Sequence, residues 1–329
     1  MGKRGEFSAL GVWRTPLERL PRLATRIGLD ADDLWVKRDD LLAVGGGGNK
    51  LRKLDRLCTA ALEEGATTLV ACGAPQSNFC RLAAAAAGRL SLGVVLVLAG
   101  ESGGGRTGNL TLDVLFGAEV RWTGDADADR MEMVAGEVVA ELRERGERPA
   151  LLPFGGSNAV SARGYVAAAE EISEQAGEFD RVVVAVGSGA TMAGLVAGLG
   201  SKRVLGVDAG AVTDPYESVE AIVNQLRLEG ASAAKPDEPL RIDRSQVGLG
   251  YEAMTDAARE AMLTAGQCEG LILDPVYTAK AFAGLAAAVR SGEIERGERT
   301  VFLHTGGLPG LFGHPIAAEF AATADGLGR

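Results

Sequence analysis

The chain of 329 residues is long enough for two domains, each with its own core. Hydrophobic residues at 47%, charged residues at 24% and only 11 prolines exclude disordered and collagen-like classes. A net charge of -10 argues against a broad basic surface, so neither nucleic acid nor an anionic membrane is expected as a partner.

In chain order, the opening MGKRGEF has no apolar run after its basic residues, so no secretory signal is expected. The longest apolar stretch, residues 94–99, is far below the roughly 18 residues of a membrane span. A cytoplasmic location is the resulting expectation. Short β-branched runs predict strands at residues 34–37, 67–72, 93–98, 119–122, 182–186, 203–207 and 300–303. Alanine-rich patterns predict helices at 49–64, 78–88, 107–116, 127–145, 158–175, 191–199, 256–265 and 278–289. Such alternation predicts an α/β fold of open, mostly parallel sheets in three layers, helices covering both faces. The glycine cluster at 100–105 and the acidic stretch at 230–243 are expected to be loops.

Glycine-rich loops follow several predicted strands: GAPQSN, GGSN at 155–158, GSGAT and HTGGLPG. Ligands of open α/β sheets bind beyond the carboxyl ends of strands, where such loops meet helix N-termini. Cys58, Cys72, Cys80 and Cys268 lack C-x-x-C spacing, and His304 and His314 are the two histidines, so neither a metal site nor a disulfide framework is expected.

Four segments carry chemistry. In VGGGGNKLRKL, Lys50 opens a helix directly after four glycines and Asn49, where helix-end dipoles disfavour its charge and favour Schiff-base chemistry. The same spacing also suits a capped surface helix with Lys50, Arg52 and Lys53 in water. In GAPQSNF, Gln76, Ser77 and Asn78 present donors suited to a carboxylate, although Ser77 or Asn78 could simply cap the following helix. GSGAT, residues Gly187, Ser188, Gly189, Ala190 and Thr191, has the small side chains and clustered backbone N–H groups of a phosphate cup without the Lys of a nucleotide-triphosphate loop. In LDPVYTAKAF, Tyr277 and Thr278 begin a helix; Tyr277 is either core packing or a proton-transfer group facing the cleft. No G-x-G-x-x-G lies between an early strand and its helix, which weakens a nicotinamide-binding reading.

Together, GGNKLRKL, GAPQSN, VGSGATMAGL, DPVYTAKAFAGL and HTGG resemble the D-cysteine desulfhydrase and 1-aminocyclopropane-1-carboxylate deaminase family of fold-type II pyridoxal-phosphate enzymes. The resemblance covers about residues 14–311. It implies pyridoxal 5'-phosphate as cofactor, Lys50 as the lysine that carries it, and Gln76, Ser77 and Asn78 as the carboxylate loop, with Asn78 and Asn49 also beside the cofactor. It further implies Gly187 to Thr191 as the phosphate loop, Tyr251 and Tyr277 as active-site tyrosines, and Lys50, Ser77 and Tyr277 as the catalytic set. A larger cofactor-holding domain of residues 1–54 and 156–329, a smaller mobile domain of 55–155, and a homodimer are expected. Phe79 stands where the family usually has a polar residue, and His314 replaces a common aromatic. Deaminases of the family typically have Glu after the tyrosine and Leu in H-L-G-G, whereas this chain has Thr278 and Thr305 at the cofactor. The implied reaction is α,β-elimination from a small amino acid, D-cysteine first, to pyruvate, ammonia and hydrogen sulfide. The cyclopropane deaminase, elimination from a related amino acid such as L-cysteate, and a pyridoxal-phosphate homeostasis protein without turnover are the alternatives.

Overall fold

The computed structural model describes residues 10, 14–103, 107–231 and 239–323. In chain order its strands are β1 (Leu17–Arg19), β2 (Leu34–Arg38), β3 (Thr68–Gly73), β4 (Gly93–Leu98), β5 (Glu119–Trp122), β6 (Pro149–Leu151), β7 (Arg181–Val186), β8 (Val204–Asp208), β9 (Arg241–Asp243) and β10 (Thr300–His304). The helices are α1 (Pro21–Ile27), α2 (Lys50–Glu63), α3 (Asn78–Leu90), α4 (Asn109–Leu115), α5 (Ala128–Glu144), α6 (Ala159–Ala176), α7 (Ala190–Leu199), α8 (Pro215–Leu228), α9 (Asp256–Glu269), α10 (Thr278–Arg290), α11 (Leu308–Gly313) and α12 (Ile316–Thr323).

The strands form two sheets, ordered β1-β2-β10-β7-β8-β9 and β5-β4-β3-β6. All pairs are parallel except β1 with β2. Continuous apolar runs mark the strands covered on both faces. In β7 every residue is buried. Val182, Val184 and Val186 face the side packed by α6 and α7, while Val183 and Ala185 join the cluster with α9 and α10. The four-stranded sheet repeats this alternation: Leu69 and Ala71 of β3 point to one layer, Val70 and Cys72 to the other. Each enclosed Val or Leu contributes roughly 1.5–3 kcal/mol, so these central strands hold the layers together.

Every predicted strand and helix is present, with ends shifted by a few residues. Helix starts follow their caps: Asp127 accepts from the Arg130 N–H ahead of α5, and Asn158 and Ser161 form a reciprocal pair at the start of α6. Strands β1, β6 and β9 are additional, each three residues at a sheet edge. β9 corrects the loop expected at 230–243: residues 241–243 pair with β8, and 232–238 lie outside the described residues. Of the expected loop at 100–105, Gly100 pairs with Gly124 in an isolated bridge, and 104–105 lie outside the described residues. Helices α1, α8, α11 and α12 are also additional, although the start of α8 is signalled by Asp214, whose carboxylate accepts from the Tyr216 and Glu217 N–H groups, followed by Pro215.

Candidate active site

The loops leaving β3, β7 and β10 converge on the N-termini of α2, α3, α7 and α10. Ahead of α2, Gly45, Gly46, Gly47 and Gly48 all have positive φ, and a Cβ on Gly47 would lie 2.3 Å from the Asp40 carbonyl oxygen. Only glycine takes this path at low cost, and the path delivers Lys50 as the first residue of α2. The Lys50 amine donates to the Gly155 carbonyl at 2.9 Å. Gly155 also has positive φ, and a Cβ there would strike Ser188 Oγ at 2.4 Å. Burial lowers the Lys50 pKa from 10.5 to about 8. Helix position and burial are both expected to lower it, and enclosure is the main cause.

One turn further, Lys53 is 1% exposed, and its amine donates to Ser157 Oγ at 3.3 Å. Burial, then the neighbouring Lys50, holds its pKa well below the usual lysine value. The solvated basic face that the spacing also allowed is therefore absent: Arg52 and Lys53 are both buried. Lys53 was not singled out in the sequence, because its partner Ser157 is a hundred residues away in the chain.

At the start of α7, Gly189 has φ of +96° and no side chain to cap the helix. The Ala190 N–H faces Ser157 Oγ at 3.4 Å, and Ser157 and Ser188 share a hydroxyl hydrogen bond of 2.7 Å. Asn49 Nδ2 donates to Thr191 Oγ1 at 3.1 Å. A Cβ on Gly187 would come within 3.0 Å of the Tyr277 ring. Lys50, Lys53, Gly187, Ser188, Gly189 and Thr191 line one cavity, which Asn49, Asn78 and Thr305 also border. Ala190, also expected at the cofactor, is fully buried and lines neither this cavity nor its neighbour, its N–H being turned to Ser157 Oγ.

An adjoining pocket of about 260 Å³ shares Lys50, Asn78, Ser188 and Tyr277 with this cavity. Ser77 lines it while its Oγ caps α3 by accepting from the Cys80 N–H at 3.2 Å, so the capping reading and the cavity position both hold. Tyr251 and Tyr277 are joined through their hydroxyls, and their rings meet edge to face at 5.7 Å. Burial pushes Tyr251 up to about 12 and Tyr277 well above the usual phenol value, which keeps both protonated.

Two expected site residues point elsewhere. The Gln76 amide accepts from the Asn109 N–H at 2.9 Å and donates to the Thr107 carbonyl at 3.0 Å, packed so closely on Gly313 that a Cβ there would meet Gln76 Oε1 at 2.1 Å. It ties the loop before α4 to α3 and lines neither cavity. The Thr278 hydroxyl is fully buried and donates to Asp274 Oδ1 at 2.7 Å, so of the two threonines Thr305 alone borders the cavity. Asp274, which also lines it, accepts from the Val276, Tyr277 and Thr278 N–H groups and so anchors the start of α10. Asp-Pro four residues before the helix was its sequence signal.

His304 is buried against the Ile272 carbonyl and His314 lies at the surface against the Glu252 carbonyl, both away from the cavity. Among the described residues no cluster of His, Cys, Asp and Glu could hold a metal ion, and the four cysteines are unpaired. No helix of the described residues is long and apolar enough to cross a membrane. The donor set instead suits a phosphate-bearing aldehyde. A glycine cup at an uncapped helix start with Lys53 beside it accommodates the phosphate, and a lysine with lowered pKa faces the same cavity to meet the carbonyl.

The comparisons agree with this donor set. Residues 9–306 match the family described as pyridoxal-phosphate dependent enzyme. The chain belongs to that family; its cofactor is pyridoxal phosphate and its architecture is fold-type II. A Klebsiella pneumoniae protein named D-cysteine desulfhydrase is 40% identical over 319 residues, covering 92% of this chain and 94% of that one. A Pyrococcus abyssi protein provisionally named 1-aminocyclopropane-1-carboxylate deaminase is 39% identical over 310 residues, 91% of each chain. Among solved structures, one described as an ACC deaminase homologue superposes with a TM-score of 0.86 at 35% identity, covering 95% of this chain and 94% of that one. The processed threonine deaminase isoform 2 of Solanum lycopersicum, at 18% identity and TM-score 0.63 over 90% and 84% of the two chains, shares the fold.

Proposed function

We propose that the protein eliminates a β-leaving group from a small amino acid, with D-cysteine converted to pyruvate, ammonia and hydrogen sulfide. The observation that carries this choice is Thr305 on the cavity wall, where a cyclopropane deaminase of this family typically has leucine. In this reading Gly187 to Thr191 and Lys53 hold the cofactor phosphate, Lys50 carries the cofactor covalently, and Asn49 and Asn78 border it. When bound, pyridoxal phosphate supplies an electron sink for the substrate's Cα.

Lys50 Nζ, with a pKa near 8, is neutral in about a tenth of molecules at pH 7, against fewer than about one in a thousand for an ordinary lysine. Its neutral amine would serve as the base for the substrate's Cα proton. Ser77 and Asn78 orient the carboxylate at the start of α3. Tyr277 keeps its proton and gives it to the departing sulfur, with Tyr251 fixing its hydroxyl. The two sheets are proposed to belong to two domains meeting at this cleft, the smaller built from residues 55–155.

Three measurements test this. Borohydride reduction followed by peptide mapping should find the pyridoxyl group on Lys50, and its appearance on Lys53 or Lys280 would refute the assignment. Cofactor loading of apoprotein should accelerate as pH rises through about 8. A 2-oxo-acid assay across D- and L-cysteine, β-chloroalanine, cysteate, serine and the cyclopropane amino acid should favour D-cysteine; faster opening of the cyclopropane ring would transfer the protein to the deaminases.

A further inference from the structure

Lys280, the third residue of α10, is fully buried and has no part in the mechanism above. Its amine donates to four backbone carbonyls, those of Gly250 at 2.8 Å, Val247 at 3.0 Å, Tyr251 at 3.1 Å and Ala209 at 3.3 Å. No carboxylate is bonded to it among the described residues, and Asp208 and Asp274 act on it through charge rather than contact. Carbonyl oxygens accept and cannot donate, so four of them suit an ammonium, which has three protons and no lone pair. Convergent carbonyl dipoles are also what a bare potassium ion takes in place of its water shell.

The cage joins two segments to α10. Ala209 follows β8, whereas Val247, Gly250 and Tyr251 lie between β9 and α9 in a stretch with neither helix nor strand. No residue from Val247 to Glu252 is buried as a whole, so side-chain packing does little to fix this stretch. Its covered carbonyls find their partner in the lysine instead. The last of them belongs to Tyr251, whose hydroxyl meets that of Tyr277, and Tyr277 stands one turn before Lys280 at the start of the same helix. The ammonium therefore ties the Tyr251 backbone to the helix that presents Tyr277.

We infer that Lys280 is a tethered monovalent cation: its ammonium fills a carbonyl site that suits potassium or ammonium, and so holds Tyr251 against Tyr277. It is a positioning residue, since it lines neither cavity of the candidate site. The cage itself is independent of the reaction, and its effect on turnover rests on the elimination reading above.

Lys280→Ala removes the cation and leaves room for a free one. Holoenzyme of this variant in tetramethylammonium chloride should melt about 3 °C or more higher when potassium or ammonium replaces that salt at constant ionic strength, whereas wild-type protein should not respond. Turnover separates positioning from stability. A thiol leaves with a proton and chloride leaves without one, so kcat should fall at least tenfold for D-cysteine and less than threefold for β-chloro-D-alanine, with potassium restoring most of the first loss. Cofactor absorbance verifies loading, and Lys280→Met supplies the same measurements should the alanine variant not fold. Melting of the variant that is indifferent to potassium, failure of both variants to fold in potassium, or a wild-type protein that potassium stabilises would overturn the tethered cation. Equal losses on the two substrates would overturn the positioning of Tyr251. Pyruvate from neither substrate with wild-type protein would remove the elimination reading and leave the cage to be decided by the melting shift.

Discussion

Two groups of buried charge share helix α2, and they are built in opposite ways. On one face, Arg52 donates to both oxygens of Asp39 at 2.9 Å and to both oxygens of Glu171 at 2.7 and 2.9 Å. Lys37 reaches the same Glu171 at 2.9 Å, and the Tyr165 hydroxyl completes Asp39 at 2.6 Å. On the other face, Lys50 and Lys53 are held by a carbonyl and a hydroxyl, with no carboxylate bonded to either among the described residues. Cations and anions meet in the first group, so the carboxylates of Asp39 and Glu171 stay ionised at pKa values below their ordinary ones. In the second, desolvation lowers both amines uncompensated. A fold that satisfies one cluster so fully and leaves its neighbour short of negative charge has reserved that place for an anion and a carbonyl supplied from outside.

The contrast is broken most severely by Arg52→Met. Asp39 would remain fully buried with its ionic partner gone, at a cost of about 3–5 kcal/mol, read as a lower urea midpoint with cofactor bound or absent. Lys53→Met acts in the reverse sense. It removes an uncompensated cation, so the apoprotein should gain on the order of 1 kcal/mol at neutral pH while the cofactor dissociation constant rises tenfold or more. The sign follows from linkage. The folded Lys53 pKa lies below the unfolded value, so the unfolded chain binds more protons and wild-type apoprotein gains stability as pH rises toward the unfolded value. The advantage of the variant should therefore be larger at pH 6 than at pH 9 in apoprotein melting. Equal gains at both would show that Lys53 is not the titrating group.

The smallest effect concerns a third, remote site. Both carboxylate oxygens of Asp113 on α4 are buried without a hydrogen bond, and burial raises its pKa to about 7 despite the Arg81 charge nearby. Its folded pKa exceeds the unfolded value of 3.8, so stability falls as pH rises from about 4 to about 7. Asp113→Asn should raise Tm by roughly 1 °C at pH 8 and little at pH 4, with cofactor loading unchanged.

The central strands and long helices were legible because burial on both faces leaves a run such as VVVAV, and because caps such as Asp127 and Asn158 are local. Three-residue edge strands leave no such run, and β9 follows an acidic stretch that reads as loop. The four glycines before Lys50 left it open between a solvated helix face and the cleft, and it was singled out by the family resemblance. Lys53 was not, since K-L-R-K alone does not reveal which cation meets acid and which meets Ser157. The sequence also placed Gln76 and Thr278 at the cavity, where their types fit; tertiary partners at Asn109 and Asp274 turn them away.

Strand β10, the last strand among the described residues, sits between β2 and β7 in the middle of its sheet, and Thr305 and Gly306 just beyond it line the candidate cavity. The four-stranded sheet draws all its strands from residues 68–151, so it can be assembled while the rest of the protein is still being synthesised. The six-stranded sheet cannot. Until residues 300–306 leave the ribosome, β2 and β7 present unpaired inner edges and the candidate cavity lacks a wall. A chain that stops before residue 300 therefore lacks both the strand that joins β2 to β7 and the Thr305 wall of the candidate cavity.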